Sequence, residues 1–326
     1  MAWERVMSTL REAASEYLQM RRALGFKLTT FGQRLMSLVA YCEARNIEHL
    51  TAAIALEWAI TTPRSCDPVH HARRLDVARI FARHLAIIDP ATEVSGLDVL
   101  PHRYRRAVPY QYSPEQIEAL IEAAATLQPA MRAATWRTLI GLLAVTGMRD
   151  GEAARLCHDD VDLGEGVVTI TESKFTKSRL VYLHPTTVTA LRQYVTTRDR
   201  LVPEPASEKF FVNGWGRPLT ATNLSHTFAQ VREVAGLQGL RAGQDPRLHD
   251  LRHTFTITTM LDWYRDGGDV QARLPVLSTW LGHVDPKSTY WYLQAVPELL
   301  ALAAARLDPE DPGEGDTPAA GEGERS

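Results

Sequence analysis

Apolar residues in the first 60 positions recur at helical spacing. Val6, Leu10, Ala13, Ala14, Tyr17 and Leu18 share one face of a helix predicted from Glu4 to Leu24, and Gly25 stops it. Thr30 caps a second helix that runs through Phe31, Leu35, Leu38, Val39 and Cys42 to near Asn46. Thr51 caps a third, with Ile54, Leu56, Trp58 and Ile60. Beyond Pro63, a fourth from Pro68 to Ile88 sets Leu75, Ala78, Phe81, Ala82 and Leu85 on its apolar face. No alternating stretch interrupts this region.

Periodicity then lapses. Residues Asp89 to Pro109 hold Pro90, Gly96, Pro101 and Pro109 and read as a linker. Ser113-Pro114-Glu115-Gln116 is a capping box that opens a helix carrying Ile117, Leu120, Ile121 and Ala124. A very apolar helix from Arg132 to Thr146 is predicted to be central to the core, with Gly147 ending it and another helix starting at Gly151. From Val161 the period becomes two. Val167–Thr171 and Arg179–Leu183 flank residues Glu172 to Ser178 as a β-hairpin. Helices over Thr186–Arg200 and Thr220–Ala235 follow, with a short strand Lys209–Val212 between them and a glycine-rich loop from Gly236 to Pro246.

The pattern therefore predicts a mainly α fold with a small antiparallel β-sheet (α+β). Its expected parts are a helical domain over 1–89, a linker over 90–109 and a second domain over 110–307. An acidic tail rich in Pro and Gly over 308–326 reads as disordered.

Composition adds compartment and charge. The three cysteines, Cys42, Cys66 and Cys157, form no CxxC, which points to a reducing interior and away from a disulfide framework or a cysteine-based zinc site. Glu4 and Arg5 open the chain without a following apolar stretch, and the longest apolar run, Leu139 to Val145, is too short to span a bilayer. A cytoplasmic protein without a membrane partner is expected. The net charge of −3 hides an asymmetry: the tail carries seven acidic residues against one arginine, leaving the other 307 residues at +3. That is only mildly basic, so local clusters say more than the total.

Two such clusters stand out. Arg73, Arg74, Arg79 and Arg83 on the fourth helix, with Arg103, Arg105 and Arg106 in the linker, suit a surface that tracks phosphates. The other gathers around His249-Asp250-Leu251-Arg252-His253, Leu281-Gly282-His283 and Tyr292. His249 and Arg252 are spaced to share a helix face, and His283 follows a glycine that ends a helix. Arg149 follows the most buried helix, with Glu152 three residues on to orient it, and Lys174 and Lys177 sit at the hairpin tip. Two imidazoles, guanidinium groups and a phenol suit attack on a phosphodiester. The planar guanidinium fork binds two non-bridging oxygens, and a phenol needs cationic neighbours to act as a nucleophile.

These boxes carry a specific resemblance. Thr146-Gly147-Met148-Arg149-Asp150-Gly151-Glu152 resembles the TGxRxxE box of the tyrosine recombinases, the phage integrase and Xer family. Residues Ser173 to Val181 resemble that family's GKGxKxRxV hairpin, His249 to His253 its HxLRH box, and Leu281-Gly282-His283 with Tyr292 its LGH…Y ending. The resemblance implies a site-specific recombinase that cuts and rejoins duplex DNA as a homo-tetramer, through a Holliday junction, without metal, ATP or other cofactor. Residues 1–89 would be its DNA-gripping core-binding domain and 110–307 its catalytic domain. Arg149 and Arg252 would clamp the scissile phosphate and Lys174 would protonate the departing 5′ oxygen. His249 and His283 would bond the phosphoryl oxygens and assist the phenol, Glu152 would support the site, and Tyr292 would form the 3′-phosphotyrosine.

Tyr290 is the competing nucleophile, but it breaks the nine-residue spacing from His283. Phe175 stands where the family hairpin has glycine, which leaves Lys177 as a second candidate for the proton donor, and Tyr182 stands where proline is common. The stretch Asp262–Leu274 is longer than the family's usual link and is expected to form an extra surface loop. Pro297–Leu307 resembles the C-terminal helix that docks on a neighbouring subunit. Three other readings remain open from sequence: a catalytically silent DNA-binding accessory protein, a relative that nicks and reseals without recombining two sites, and a metallohydrolase using His249 and His253.

Overall fold

The computed structural model describes residues 9–61, 67–100, 108–171, 178–239, 245–283, 285 and 287–305. It divides the chain into two compact units, Met1–Arg106 and Ala107–Ser326.

The first unit is built from α1 (Leu10–Ala23), α2 (Thr29–Glu43), α3 (Ala52–Ile60) and α4 (Pro68–Leu85). Its core is made by Leu18, Leu35, Leu38, Trp58, Leu75 and Phe81. Thr9 and Glu12 form a reciprocal capping box that opens α1 at Leu10, and the expected earlier helical residues Glu4 and Val6 lie outside the described residues. The second helix starts differently from expectation. Leu28 adopts a left-handed conformation (φ 44°) and supplies the turn, which places Thr30 inside the first turn with no capping role. Thr51 and Asp67 cap α3 and α4 through their side chains. On α3 it is Ala55, Trp58 and Ala59 that turn inward, while Ile60 faces out.

Residues 89–100 are not a free linker. Asp89 bonds His49, the Glu93 amide donates to the Leu50 carbonyl, its carboxylate accepts from the Ala52 amide, and Thr92 and Ser95 are buried.

The second unit opens with α5 (Pro114–Ala125), held by the Ser113–Gln116 capping box, and with α6 (Ala130–Thr146), whose Trp136, Leu139, Ile140 and Leu143 are fully buried. A short helix α7 (Asp150–Ala153) leads to β1 (Val161–Asp162), β2 (Val167–Ile170) and β3 (Arg179–Tyr182), antiparallel in that order. Val168 faces Val181 across the ladder, and their inward side chains with Ile170 seal the sheet onto α6's core.

Next come α8 (Pro185–Leu201) and α9 (Ala221–Val234), the latter with a Thr220–Asn223 capping box. Between them residues 209–212 make only single bridges, Cys157 with Lys209 and Val212 with Pro218, because Phe210, Phe211 and Val212 are drawn into the core.

A separate apolar cluster joins α10 (Asp250–Arg265), α11 (Val270–Leu281), α12 (Lys287–Ala295) and α13 (Pro297–Ala305) through Ile257, Met260, Leu277, Leu281, Tyr292 and Leu299. The extra loop expected over 262–274 does not exist. Helix α10 continues to Arg265, Asp269 caps α11, and Val270 and Leu274 are buried, which leaves four connecting residues. Within this chain α13 seats Leu299 in that same cluster, while Leu300 faces outward.

Candidate active site

The site is assembled where α6, α10 and α11 end or begin. Gly147 ends α6 with φ +62°, and a Cβ there would lie 2.3 Å from the Phe255 ring, so this turn requires glycine twice over. The chain then swings Arg149 outward, and Glu152 accepts from both its backbone amide and its guanidinium. Gly282 ends α11 in the same left-handed manner (φ +65°), with the His283 amide donating back to the Ser278 carbonyl.

A helix C-terminus leaves carbonyl oxygens without partners and carries partial negative charge. Here three arginines from three elements satisfy three successive carbonyls at the end of α11. Arg179 of β3 donates to Trp280 O at 2.7 Å, Arg252 of α10 to Leu281 O at 2.7 Å, and Arg149 to Gly282 O at 3.0 Å. Arg252 also donates to Gly147 O at 2.9 Å, and the Trp280 indole donates to Thr146 O at 2.9 Å, so the ends of α6 and α11 are tied together. Arg149 and Arg252, distant in sequence, are thereby anchored on neighbouring carbonyls.

Electrostatics follow from this crowding. Burial lowers the pKa of Arg252, the like charge of Arg149 adds to the effect, and Tyr292 and Glu152 oppose it. A guanidinium so placed still stays protonated at neutral pH. Burial alone would raise Glu152, but hydrogen bonds and charge from Arg179, with help from Arg149, hold it at about 2. The centre is therefore a buried carboxylate flanked by guanidinium groups, with Arg149 the more exposed at 27%.

Tyr292, on α12, is 2% exposed, and its hydroxyl shares a 2.6 Å hydrogen bond with Nδ1 of His253. Tyr290, two residues back, is 46% exposed and faces away from this cluster's buried side. His283 Nδ1 shares a 2.7 Å hydrogen bond with the buried Thr289 hydroxyl, which ties the turn after α11 to α12. His249 sits one residue before α10, its ring edge-to-face with His253 at 5.0 Å and its Nδ1 3.9 Å from Asp150. That neighbour holds the Asp150 carboxyl below its ordinary range.

Arg149, Glu152, Arg252, His283 and Tyr292 thus meet in one region, and His249 joins it through His253. Lys174, Lys177, Arg103, Arg105 and Arg106 lie outside the described residues. The fourth helix needs a correction. Arg79 is 4% exposed and spends its guanidinium on Ser95 O, Gly96 O and Asp76, so it braces residues 89–100 and is not a phosphate ligand. Arg74 lies over the Trp58 ring and donates to Trp58 O, which leaves it half-buried, while Arg73 is exposed.

Sequence reasoning missed three residues. His253 was visible as the last member of its box, four residues from His249, yet only geometry gives it the phenol. Arg179 opens an otherwise alternating strand, a charged residue where the inward face demands burial. Trp280 gave no signal beyond preceding the LGH box.

Arginines gathered at one helix end beside a buried phenol suit chemistry on a phosphodiester, and comparison narrows this. The sequence profile described as the phage integrase family matches residues 111–298. The integrase/recombinase y4rB of Sinorhizobium fredii is 41% identical over 308 residues, covering 93% of this chain and 98% of its own. The tyrosine recombinase XerC of Lactobacillus leichmannii is 32% identical over 158 residues, 48% of this chain and 49% of its own. Among solved structures, the Tn1549 transposon integrase in complex with transposon right end DNA superposes with a TM-score of 0.63 at 16% identity, over 92% of this chain and 98% of that one. The XerH recombinase in a post-cleavage complex with its difH substrate gives 0.60 at 21% identity, over 85% and 79%. The chain belongs to the phage integrase family and is a tyrosine-type site-specific recombinase, an enzyme of DNA strand breakage and rejoining.

Proposed function

We propose that this recombinase cleaves duplex DNA with Tyr292 as the nucleophile while Arg149 and Arg252 hold the scissile phosphate. The observation that carries this reading is the seating of the two guanidinium groups on successive carbonyls at the end of α11, within the charge field of the Tyr292 phenol. Each arginine uses only part of its five-donor fork there, so N–H groups are left for two phosphoryl oxygens. The bond from Tyr292 Oη to phosphorus forms as the bond to the 5′ oxygen breaks, and the arginines neutralise the charge on the non-bridging oxygens.

His253 is positioned to take the phenolic proton, a role the sequence had given to His249 and His283. Those two histidines are then left to bond phosphoryl oxygens. By the family resemblance Lys174 supplies the proton to the 5′ oxygen. The resulting 3′-phosphotyrosine conserves the bond energy, so religation to a second strand needs no metal or ATP.

Exchange between two sites then proceeds through a Holliday junction in a homo-tetramer. The transposon integrase among the similar structures, and the relative described as an integrase/recombinase, favour an integrating element as its setting. Tyr292 is buried in this chain, so cleavage requires α12 to release its phenol first.

The test is covalent trapping from a pool of nicked duplexes with a randomised core, in EDTA. The wild-type protein should yield an SDS-stable adduct, and Tyr292→Phe none. Cleavage without an adduct that is lost in EDTA would revive the metallohydrolase reading, and DNA binding with neither cleavage nor adduct would make the protein a silent accessory factor.

A further inference from the structure

Arg179 carries no role in the reading above, yet its guanidinium is committed at every nitrogen. It is 8% exposed and donates to both Glu152 oxygens, at 2.7 and 3.2 Å, and to Trp280 O at 2.7 Å. A Cβ on Gly282 would lie 2.6 Å from its guanidinium, so the turn of the LGH box is moulded around it. Glu152 in turn grips Arg149 by its backbone amide and its side chain. The consequence is a mechanical chain from β3, through Glu152, to the one guanidinium of the three that is open to solvent.

We infer that Arg179 is a positioning residue that fixes Arg149 and the His283 turn in register for the scissile phosphate. The inference rests on the proposed reaction at Tyr292. The alternative, a purely structural buried ion pair, would give the same contacts but a different energetic signature. Without Arg179, Glu152 loses its bidentate partner and is free to draw Arg149 inward, away from substrate. A fork is needed for this role, since two donors must meet the carboxylate while a third meets Trp280 O. A lysine ammonium keeps the charge but lacks that planar spacing.

The experiment uses the full-length protein and the duplex recovered from wild-type adducts, with Tyr292→Phe as the blank. Rates of single-turnover adduct formation and affinities for the intact duplex are measured for Arg179→Lys and Arg179→Met, alone and with Arg149→Ala. Arg179→Lys should trap DNA more slowly, on the order of a hundredfold for a displaced phosphate ligand, with duplex affinity and melting temperature little changed. In the Arg149→Ala background the same substitution should cost less than about threefold, because the group it positions is gone.

Equal losses in both backgrounds, or wild-type trapping by Arg179→Lys, would overturn the inference. Should Arg179→Met fail to fold, the lysine variant alone decides. Failure of the wild-type protein to form any adduct would instead bring down the underlying reading of Tyr292.

Discussion

Two tyrosines two positions apart sit in opposite environments, and that contrast supports Tyr292 as the proposed nucleophile. Tyr292 is enclosed and bonded to His253, whereas Tyr290 is open to solvent. Tyr290→Phe is expected to trap DNA at the wild-type rate. His253→Gln should slow trapping on the order of a hundredfold, the lower end of what general acid–base catalysis contributes. Measured rates over pH 6 to 9 check both.

In the helical unit the same residue-level accounting separates two arginines that look alike in sequence. Arg79→Met should lower the urea unfolding midpoint, because Asp76 and two carbonyls lose their partner. Arg73→Gln, at an exposed position, should lower it less.

At the scale of elements, the sequence was most informative where a side chain or glycine has a local job. Ser113 and Thr51 cap their helices as their spacing implies, and Gly147 and Gly282 end α6 and α11. It was least informative where a non-local contact decides. Thr30 looked like a cap, but the reversal falls at Leu28, whose backbone alone makes the turn. The supposed loop over 262–274 turned helical because Val270 and Leu274 find burial against α10, α12 and α13, which polarity in the local sequence conceals.

Likewise the three arginine-to-carbonyl contacts join residues 101, 29 and 133 positions apart, beyond the reach of any periodicity argument. The glycine turns give a prediction of their own. Gly147→Ala combines a left-handed backbone with overlap against Phe255, and should destabilise by roughly 2–4 kcal/mol in urea unfolding.

For the whole molecule, the buried ionic centre makes stability depend on acidity. Glu152 has a folded pKa of about 2, below its ordinary value near 4.5, so the unfolded chain binds the proton more readily. Its contribution is fully present above about pH 4.5 and is lost as pH falls from there toward about 2. Melting temperatures of the wild-type protein should drop across that window, and those of Glu152→Gln should drop less. The described candidate site residues all lie in the second unit, whose residues 111–298 match the family profile, while the helical unit has its own core. Its sequence showed four helices and an arginine cluster, but not which arginines are already engaged inside the fold.

The central question is which atom becomes bonded to DNA. Proteolysis of the wild-type adduct, followed by mass spectrometry of the nucleotide-bearing peptide, identifies that atom's residue directly. A single phosphotyrosyl linkage at Tyr292, formed in EDTA, is the expected result. A linkage at Tyr290, or at any residue outside α12, would contradict it.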